Sequence, residues 1–232
     1  MDPRVQPVKE ALKGATGYSF PSGHATGSTI IFAGPVMRGN LSKGLSIVLI
    51  ICLLLVGFSR VYLGVHTILD VIVAIISILI VLFVFSKLFD KLEKNPNLDI
   101  IISVVGIIIS ILVVIYSLTK SYPLDYDAAG KLIVDPAIMT LDTYKGAGAA
   151  IGIFLSWPIE RRFIKFLTDG TLETKLLRFI CGFIGLEFIL NVILPLMGET
   201  PLGGFLQNFL IMVFIIIIYP TIFKFFENRS KS

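Results

Sequence analysis

Two short polar clusters interrupt the apolar runs of this chain, and its two histidines, His24 and His66, lie one in each. The first cluster, residues 17–24, reads GYSFPSGH and directly precedes an apolar segment. Free backbone N–H groups at a helix start, together with the helix dipole, form an anion site. Ser22 would add a hydroxyl donor, and His24 can exchange a proton near neutral pH. The alternative is a helix cap with a histidine at the membrane interface.

The second cluster, residues 59–70, reads SRVYLGVHTILD. His66 and Asp70 are four residues apart, so a helix would place them on one face within hydrogen-bonding reach. A carboxylate on one imidazole nitrogen leaves the other nitrogen free as a nucleophile, and Arg60 offers a planar fork of donors for a phosphate. The alternative is a snorkelling arginine beside a helix-capping pair. The cost of an unpaired charge inside an apolar span favours the functional interpretation of Asp70.

The composition indicates the kind of protein that carries these clusters. Of the 232 residues, 55% are hydrophobic and only 16% are charged, and the mean hydropathy is +0.89. Soluble domains usually carry about 25% charged residues. The basic residues form short clusters between apolar runs rather than one stripe, which argues against a nucleic-acid partner. The composition therefore predicts an integral membrane protein.

Apolar segments of the chain are long enough for membrane helices or can be extended to that length. Because backbone groups in lipid must be satisfied within a segment, the segments predict helices. We expect an all-α, multi-pass transmembrane helix bundle of about seven spans. The predicted segments are residues 25–36, 45–62, 67–89, 98–119, 146–159, 176–196 and 204–223.

The basic residues also predict an orientation. Most lysines and arginines fall on the side that holds Arg38, Arg161 and Arg162, and the richer side should be cytoplasmic. Both polar clusters then lie on the outer side, with the N-terminus. The first ten residues lack the apolar core of a signal peptide, so we expect one or more helices upstream. The Ile and Lys usage indicates a prokaryotic cell membrane.

The loop between the first two segments forms a short hairpin that returns His66 to the membrane face of His24. A phosphate held by Arg60, Ser22 and the backbone of Gly23 would lie between two imidazoles. This arrangement is typical of phosphoryl transfer.

At these residues the chain resembles the type 2 phosphatidic acid phosphatase (PAP2) superfamily. Pro21-Ser22-Gly23-His24 matches the second part of the family signature letter for letter, and Ser59-Arg60-x5-His66-x3-Asp70 matches the third part. The first part is Lys-x6-Arg-Pro. Arg4 corresponds to its arginine but is followed by Val5, and the lysine would precede Met1. The resemblance therefore implies a chain truncated before the first motif.

The resemblance implies a catalytic core over residues 1–95 and a four-helix membrane extension over residues 96–232. In the implied mechanism His66 attacks phosphorus, Asp70 orients it, and His24 protonates the departing lipid oxygen. The implied phosphate ligands are Arg60, Ser22, Gly23 and Arg4. Neither a metal nor another cofactor is expected. The implied substrates are lipid phosphates such as phosphatidic acid or phosphatidylglycerol phosphate, or a polyprenyl diphosphate such as undecaprenyl diphosphate. The oligomeric state stays open.

Three alternatives remain at this point. A lipid phosphotransferase would pass the phosphoryl group to an acceptor other than water. A catalytically impaired scaffold or lipid-binding protein would agree with the missing lysine motif. A transporter would rest on Glu187, which lies with Asn191 inside an apolar segment and can equally serve helix packing. Gly148 and Gly152 predict a small-residue surface for helix contact.

Overall fold

A computed structural model gives the fold, and it describes residues 7, 8, 11, 19–39, 41–121, 124, 126, 132 and 134–230. Helices account for most of these residues, which confirms the predicted all-α membrane architecture. The helices are α1 (Gly23–Arg38), α2 (Lys43–Tyr62), α3 (Ile68–Lys94), α4 (Leu98–Thr119), α5 (Pro136–Ile159), α6 (Leu172–Phe188), α7 (Pro201–Val213) and α8 (Tyr219–Ser230).

Within the described residues, five helical stretches are long and apolar enough to cross a membrane. They are Lys43–Tyr62, Ile68–Leu92, Leu98–Thr119, Leu172–Met197 and Pro201–Glu227. The last two run through π turns, at Ile189–Ile193 and Phe214–Ile218, so that α6 continues beyond Phe188 and α7 continues into α8. The protein is an integral membrane protein with several spans.

Each predicted segment is a helix, but the lengths differ from the expectation. The second segment extends to the 20 residues of α2, and the fifth extends to the 24 residues of α5. The first segment reaches only the 16 residues of α1, which is shorter than the roughly 20 residues needed to cross the hydrocarbon core. Gly39 follows α1 in an extended conformation, and this ends the helix.

Hydroxyl side chains start many of the helices, because a side-chain oxygen can accept a hydrogen bond from an otherwise unpaired N–H of the first turn. The hydroxyl caps are Ser22 for α1, Ser42 for α2, Thr67 for α3, Thr171 for α6 and Thr200 for α7. The first and third of these caps lie in the two polar clusters.

The described chain divides into two compact units, Met1–Pro96 with Leu124–Asp135, and Asn97–Pro123 with Pro136–Ser232. In the first unit α1 packs against both α2 and α3. Ala25 of α1 and Val71 and Ala74 of α3 form its buried core, with Val61 of α2 against them. This core lies directly beneath the two polar clusters and therefore holds them at one end of the three helices.

In the second unit α5 packs closely against α7 and α4. A Cβ atom added to Gly152 would lie 2.9 Å from the carbonyl oxygen of Phe209, and one added to Gly148 would collide with the carbonyl of Phe205. The absence of side chains at both glycines permits this approach of the two backbones. The predicted small-residue contact surface is confirmed.

Two groups of ion pairs join helices of the second unit. Asp99 at the start of α4 is almost fully buried, and its carboxylate accepts from Arg161 at 3.1 Å and from Arg162 at 2.6 Å. Arg178 of α6 donates to the Glu227 carboxylate of α8 through two nitrogens, Nε and Nη2, with a shortest distance of 2.8 Å. A buried carboxylate requires such partners, because an unpaired charge in this environment is costly.

Candidate active site

The first polar cluster is built at the N-terminus of α1. Ser22 is the N-cap, and its side-chain oxygen accepts from the backbone N–H of Ala25 at 3.4 Å. Ser22 is fully buried, whereas Gly23 and His24 are exposed. Open space surrounds the position that a Cβ of Gly23 would occupy. A ligand can therefore approach the backbone of this first turn closely, at the positive end of the helix dipole.

A tight turn between α2 and α3 builds the second cluster. Gly64 adopts a left-handed conformation with φ of 69°, which glycine reaches without a steric penalty. The N–H of Gly64 donates to the carbonyl of Val61, and the N–H of Val65 donates to the carbonyl of Arg60. The turn lets the chain reverse within a few residues, so that Arg60 from α2 and His66 before α3 belong to the same end of the unit.

His66 is held by a backbone carbonyl. Its Nδ1 lies 2.8 Å from the carbonyl oxygen of Ser19, 47 residues away in the chain. A carbonyl oxygen only accepts, so Nδ1 carries the proton in this hydrogen bond. In the neutral imidazole, Nε2 then keeps its lone pair. The tautomer that a nucleophilic histidine needs is therefore set by the first polar cluster.

Asp70 differs from the sequence expectation in one respect. Its Oδ2 lies 3.8 Å from Nδ1 of His66, which is ion-pair distance but too long for a hydrogen bond. The reason is that α3 begins after His66, with Thr67 as its N-cap. Oδ2 of Asp70 accepts from the N–H of Thr67 at 2.7 Å, and the N–H of Asp70 donates to the Thr67 hydroxyl at 3.2 Å. Asp70 thus closes a capping box while its charge lies beside the imidazole.

Backbone and side-chain contacts join the two clusters directly. The N–H of Ser22 donates to the carbonyl of Asp70 at 3.2 Å. Ala25, one turn further along α1, packs on Val71 of α3. The N-termini of α1 and α3 are therefore fixed side by side, as the phosphoryl-transfer hypothesis requires.

Arg60 is a half-buried cation in this site. Among the described residues no carboxylate lies within ion-pair distance of its guanidinium, and its Nε contacts only the Ser59 hydroxyl, at 3.5 Å. The pKa of His24 is lowered from its ordinary value of 6.5, first by partial desolvation of the imidazole and then by its electrostatic interactions with Arg60 and His66. The Arg60 cation and the N-terminus of α1 at the same end of the unit favour binding of an anion.

The structure brings together the sequence-predicted residues Ser22, Gly23, His24, Arg60, His66 and Asp70 at one end of the first unit. Arg4 lies outside the described residues. Glu187 and Asn191 belong to the other unit, where the Asn191 amide donates to the Glu187 carboxylate at 2.9 Å on an exposed helix face.

Comparison with known families agrees with this arrangement. A family model described as the PAP2 superfamily matches residues 2–93, the part of the chain that contains every residue of the site. The chain belongs to the PAP2 superfamily. A second model, described as the transmembrane extension of PAP2 superfamily phosphatases, matches residues 144–231. No curated protein and no solved structure matches the chain significantly.

Two residues of this PAP2 site were not foreseen from the sequence. Ser19 contributes a main-chain carbonyl, a group that every residue has, so no residue type marks it. Thr67 could have been identified from the sequence as a helix N-cap, because Thr67-x-x-Asp70 is the capping-box pattern that indicates a helix start. That pattern would have placed His66 before the helix rather than on it.

Proposed function

We propose that this PAP2 protein is a membrane-embedded hydrolase that removes a phosphate, or the terminal phosphate of a diphosphate, from a lipid. One observation carries the proposal: the Nδ1 of His66 donates to the Ser19 carbonyl, which leaves the lone pair on Nε2, and Arg60, for which the described residues provide no carboxylate partner, lies at the same end of the unit. A nucleophile and a phosphate-binding cation are then present in one site.

In the proposed first step, Nε2 of His66 attacks phosphorus and the bond from phosphorus to the lipid oxygen breaks. His24 donates a proton to that oxygen, and the lipid alcohol or lipid monophosphate departs. The phosphoryl group stays on His66 as a phosphohistidine. Arg60, the Ser22 hydroxyl and the Gly23 backbone hold the phosphoryl oxygens, and Arg4 is proposed as a further ligand. Stabilisation of this developing charge by fixed donors is generally a large contribution to catalysis.

In the second step, neutral His24 accepts a proton from a water molecule as the water oxygen attacks phosphorus. The bond from phosphorus to Nε2 breaks, and inorganic phosphate leaves. Asp70 serves both steps, because the imidazole carries a positive charge whenever Nε2 is bonded to phosphorus. A carboxylate 3.8 Å away stabilises that charge. In this scheme the protein's own side chains supply the nucleophile, the acid and the cation, and no metal or other cofactor takes part.

A lipid is the proposed substrate because the site lies at the ends of apolar helices, of which α2 and α3 can cross a membrane. Phosphatidic acid, phosphatidylglycerol phosphate and a polyprenyl diphosphate such as undecaprenyl diphosphate all fit this chemistry. We place the site on the outer face of a prokaryotic cell membrane, where the basic-residue distribution puts the N-terminus of α1. Residues 1–95 are proposed as the catalytic core and residues 96–232 as an extension that anchors it.

The test is phosphate release from a short-chain lipid phosphate by the detergent-purified chain in the presence of a chelator. We expect release by the natural chain and none by His66→Ala, and we expect an acid-labile phosphoryl label on the natural chain only. Lys175→Met is a matched control, since Lys175 is exposed in the other unit. Equal release by the natural chain and His66→Ala would refute the covalent mechanism. No release by either would favour the scaffold alternative, and label transfer to added alcohols in preference to water would favour the phosphotransferase.

A further inference from the structure

A partly polar cavity lies in the membrane extension, outside the candidate active site. It has a volume of about 720 Å³ and opens between the start of α5, the end of the span Leu172–Met197 and the start of α7. Its lining combines one cation, one carboxylate, two carboxamides and apolar side chains. The residues that define it are Lys145, Glu199, Gln207 and Asn208, with Leu190 and Ile211 among the apolar ones.

Lys145 is the cation of this cavity, and its side chain packs closely against α7. Its aliphatic stem lies across α7 at Gly204, where an added Cβ would be 3.0 Å from the Lys145 Cγ. The side chain is half-buried, and no described carboxylate lies within ion-pair distance of its ammonium. A partly desolvated ammonium without a counter-charge favours binding of an anionic group.

The two carboxamides are oriented by the backbone. The amide nitrogen of Gln207 donates to the carbonyls of Leu194 and Gly198, at 3.0 and 3.2 Å. The amide nitrogen of Asn208 donates to the carbonyl of Gly204 at 2.9 Å. Gln207 uses both of its N–H groups and Asn208 uses one of its two in this way, so the amide oxygens of the two side chains are acceptors that a ligand can use. With the exposed carboxylate of Glu199 they offer acceptors for a donor or a cation.

From this lining we propose that the cavity binds a zwitterionic phospholipid whose head group carries a phosphate and a primary ammonium. Lys145 binds the phosphate. Glu199 and the amide oxygens of Gln207 and Asn208 accept from the ammonium. The lining has one formal positive and one formal negative charge, which matches a ligand with no net charge better than it matches an anion.

A membrane lipid, rather than a soluble phosphate ester, is the occupant because of where the cavity lies. Two of the helices that form the cavity are long and apolar enough to cross a membrane. Leu190 lines the cavity and is also exposed, so an apolar surface adjoins the polar residues of the lining. Acyl chains attached to the head group would cover that apolar part.

The test is native mass spectrometry of the full chain in detergent with equimolar phosphatidylethanolamine, phosphatidylglycerol and phosphatidylcholine. We expect retention of phosphatidylethanolamine in preference to both others, and about tenfold weaker binding in Lys145→Met, equal to the loss of one charge-assisted hydrogen bond. Glu199→Gln should remove the preference for phosphatidylethanolamine over phosphatidylglycerol while binding persists. Millimolar inorganic phosphate should not compete.

Two further variants keep the result interpretable. Lys145→Arg retains the charge and should bind close to normally, which separates loss of the ligand contact from misfolding. Lys120→Met is the matched control, since Lys120 is an exposed lysine of the same unit and lies outside this cavity. Unchanged lipid retention in folded Lys145→Met would overturn the proposal. So would equal retention of the three lipids by the natural chain, or competition by inorganic phosphate.

Discussion

Asp70 makes two contacts in this site, and one pair of variants can separate their effects. Its carboxylate caps α3 through the Thr67 N–H at 2.7 Å, and its charge lies 3.8 Å from Nδ1 of His66. In Asp70→Asn the side-chain oxygen can still accept from the Thr67 N–H, because the third residue of a capping box can be an amide as well as a carboxylate. The substitution therefore removes the charge and keeps the local fold.

The distance sets the size of the expected effect. At 3.8 Å a full positive charge on His66 interacts with Asp70 by about 1 kcal/mol in water and about 4 kcal/mol at an effective dielectric constant near 20. The two side chains are only 11% and 7% exposed, so the larger value is the more relevant one. Since His66 is neutral before attack and cationic afterwards, this energy enters the barrier. We expect kcat to fall by roughly 30-fold to 1000-fold.

Thr67→Ala is the matched variant. It removes the hydroxyl that accepts from the Asp70 N–H at 3.2 Å and leaves the carboxylate in place. Loss of a helix cap generally lowers the free energy of unfolding by about 1 kcal/mol. We therefore expect Thr67→Ala to be less stable with nearly normal kcat, and Asp70→Asn to be nearly as stable as the natural chain with a much lower kcat.

The assay is steady-state phosphate release at saturating short-chain lipid phosphate, with thermal unfolding measured on the same preparations. If Asp70→Asn keeps kcat within threefold of the natural chain, the carboxylate acts only as a helix cap. The electrostatic argument would then be refuted, whatever the stability of Thr67→Ala.

Three further predictions concern charge and packing. Because the proposed first step uses protonated His24, kcat/KM should fall as pH rises through the lowered pKa of His24. Arg60→Met removes one cause of that lowering and should move the midpoint of the fall to higher pH. An unchanged midpoint would contradict the assigned electrostatics. Gly152→Leu should destabilise the extension by about 1–3 kcal/mol, because α7 backbone occupies the space that a side chain needs, and thermal unfolding measures the loss. Asp99→Asn should lower the free energy of unfolding by about 1–3 kcal/mol, because two arginines lose their buried counter-charge. An unchanged unfolding temperature would show that these ion pairs do not stabilise the fold.

The helices and the residues of the candidate site could be predicted from the sequence because their signals are local. An apolar run predicts a span through its length, as for α3 and α4, and hydroxyl residues such as Ser22 mark helix starts through their own side chains. The weak point was the boundary before α3. Counting four residues from His66 to Asp70 assumed one continuous helix, although the Thr67-x-x-Asp70 pattern indicates a start between them.

Composition by itself determined that this is an all-α membrane protein, and motif spacing predicted that two histidines, an arginine and an aspartate serve phosphoryl transfer. Only the tertiary structure decided which nitrogen of His66 is free, because that depends on the carbonyl of Ser19, 47 residues away, and a main-chain carbonyl leaves no mark in the sequence. It also decided that Arg60 has no described carboxylate partner and that Lys145 lies across Gly204. Such facts depend on how helices distant in the chain approach each other, and packing of that kind is set by the fold as a whole.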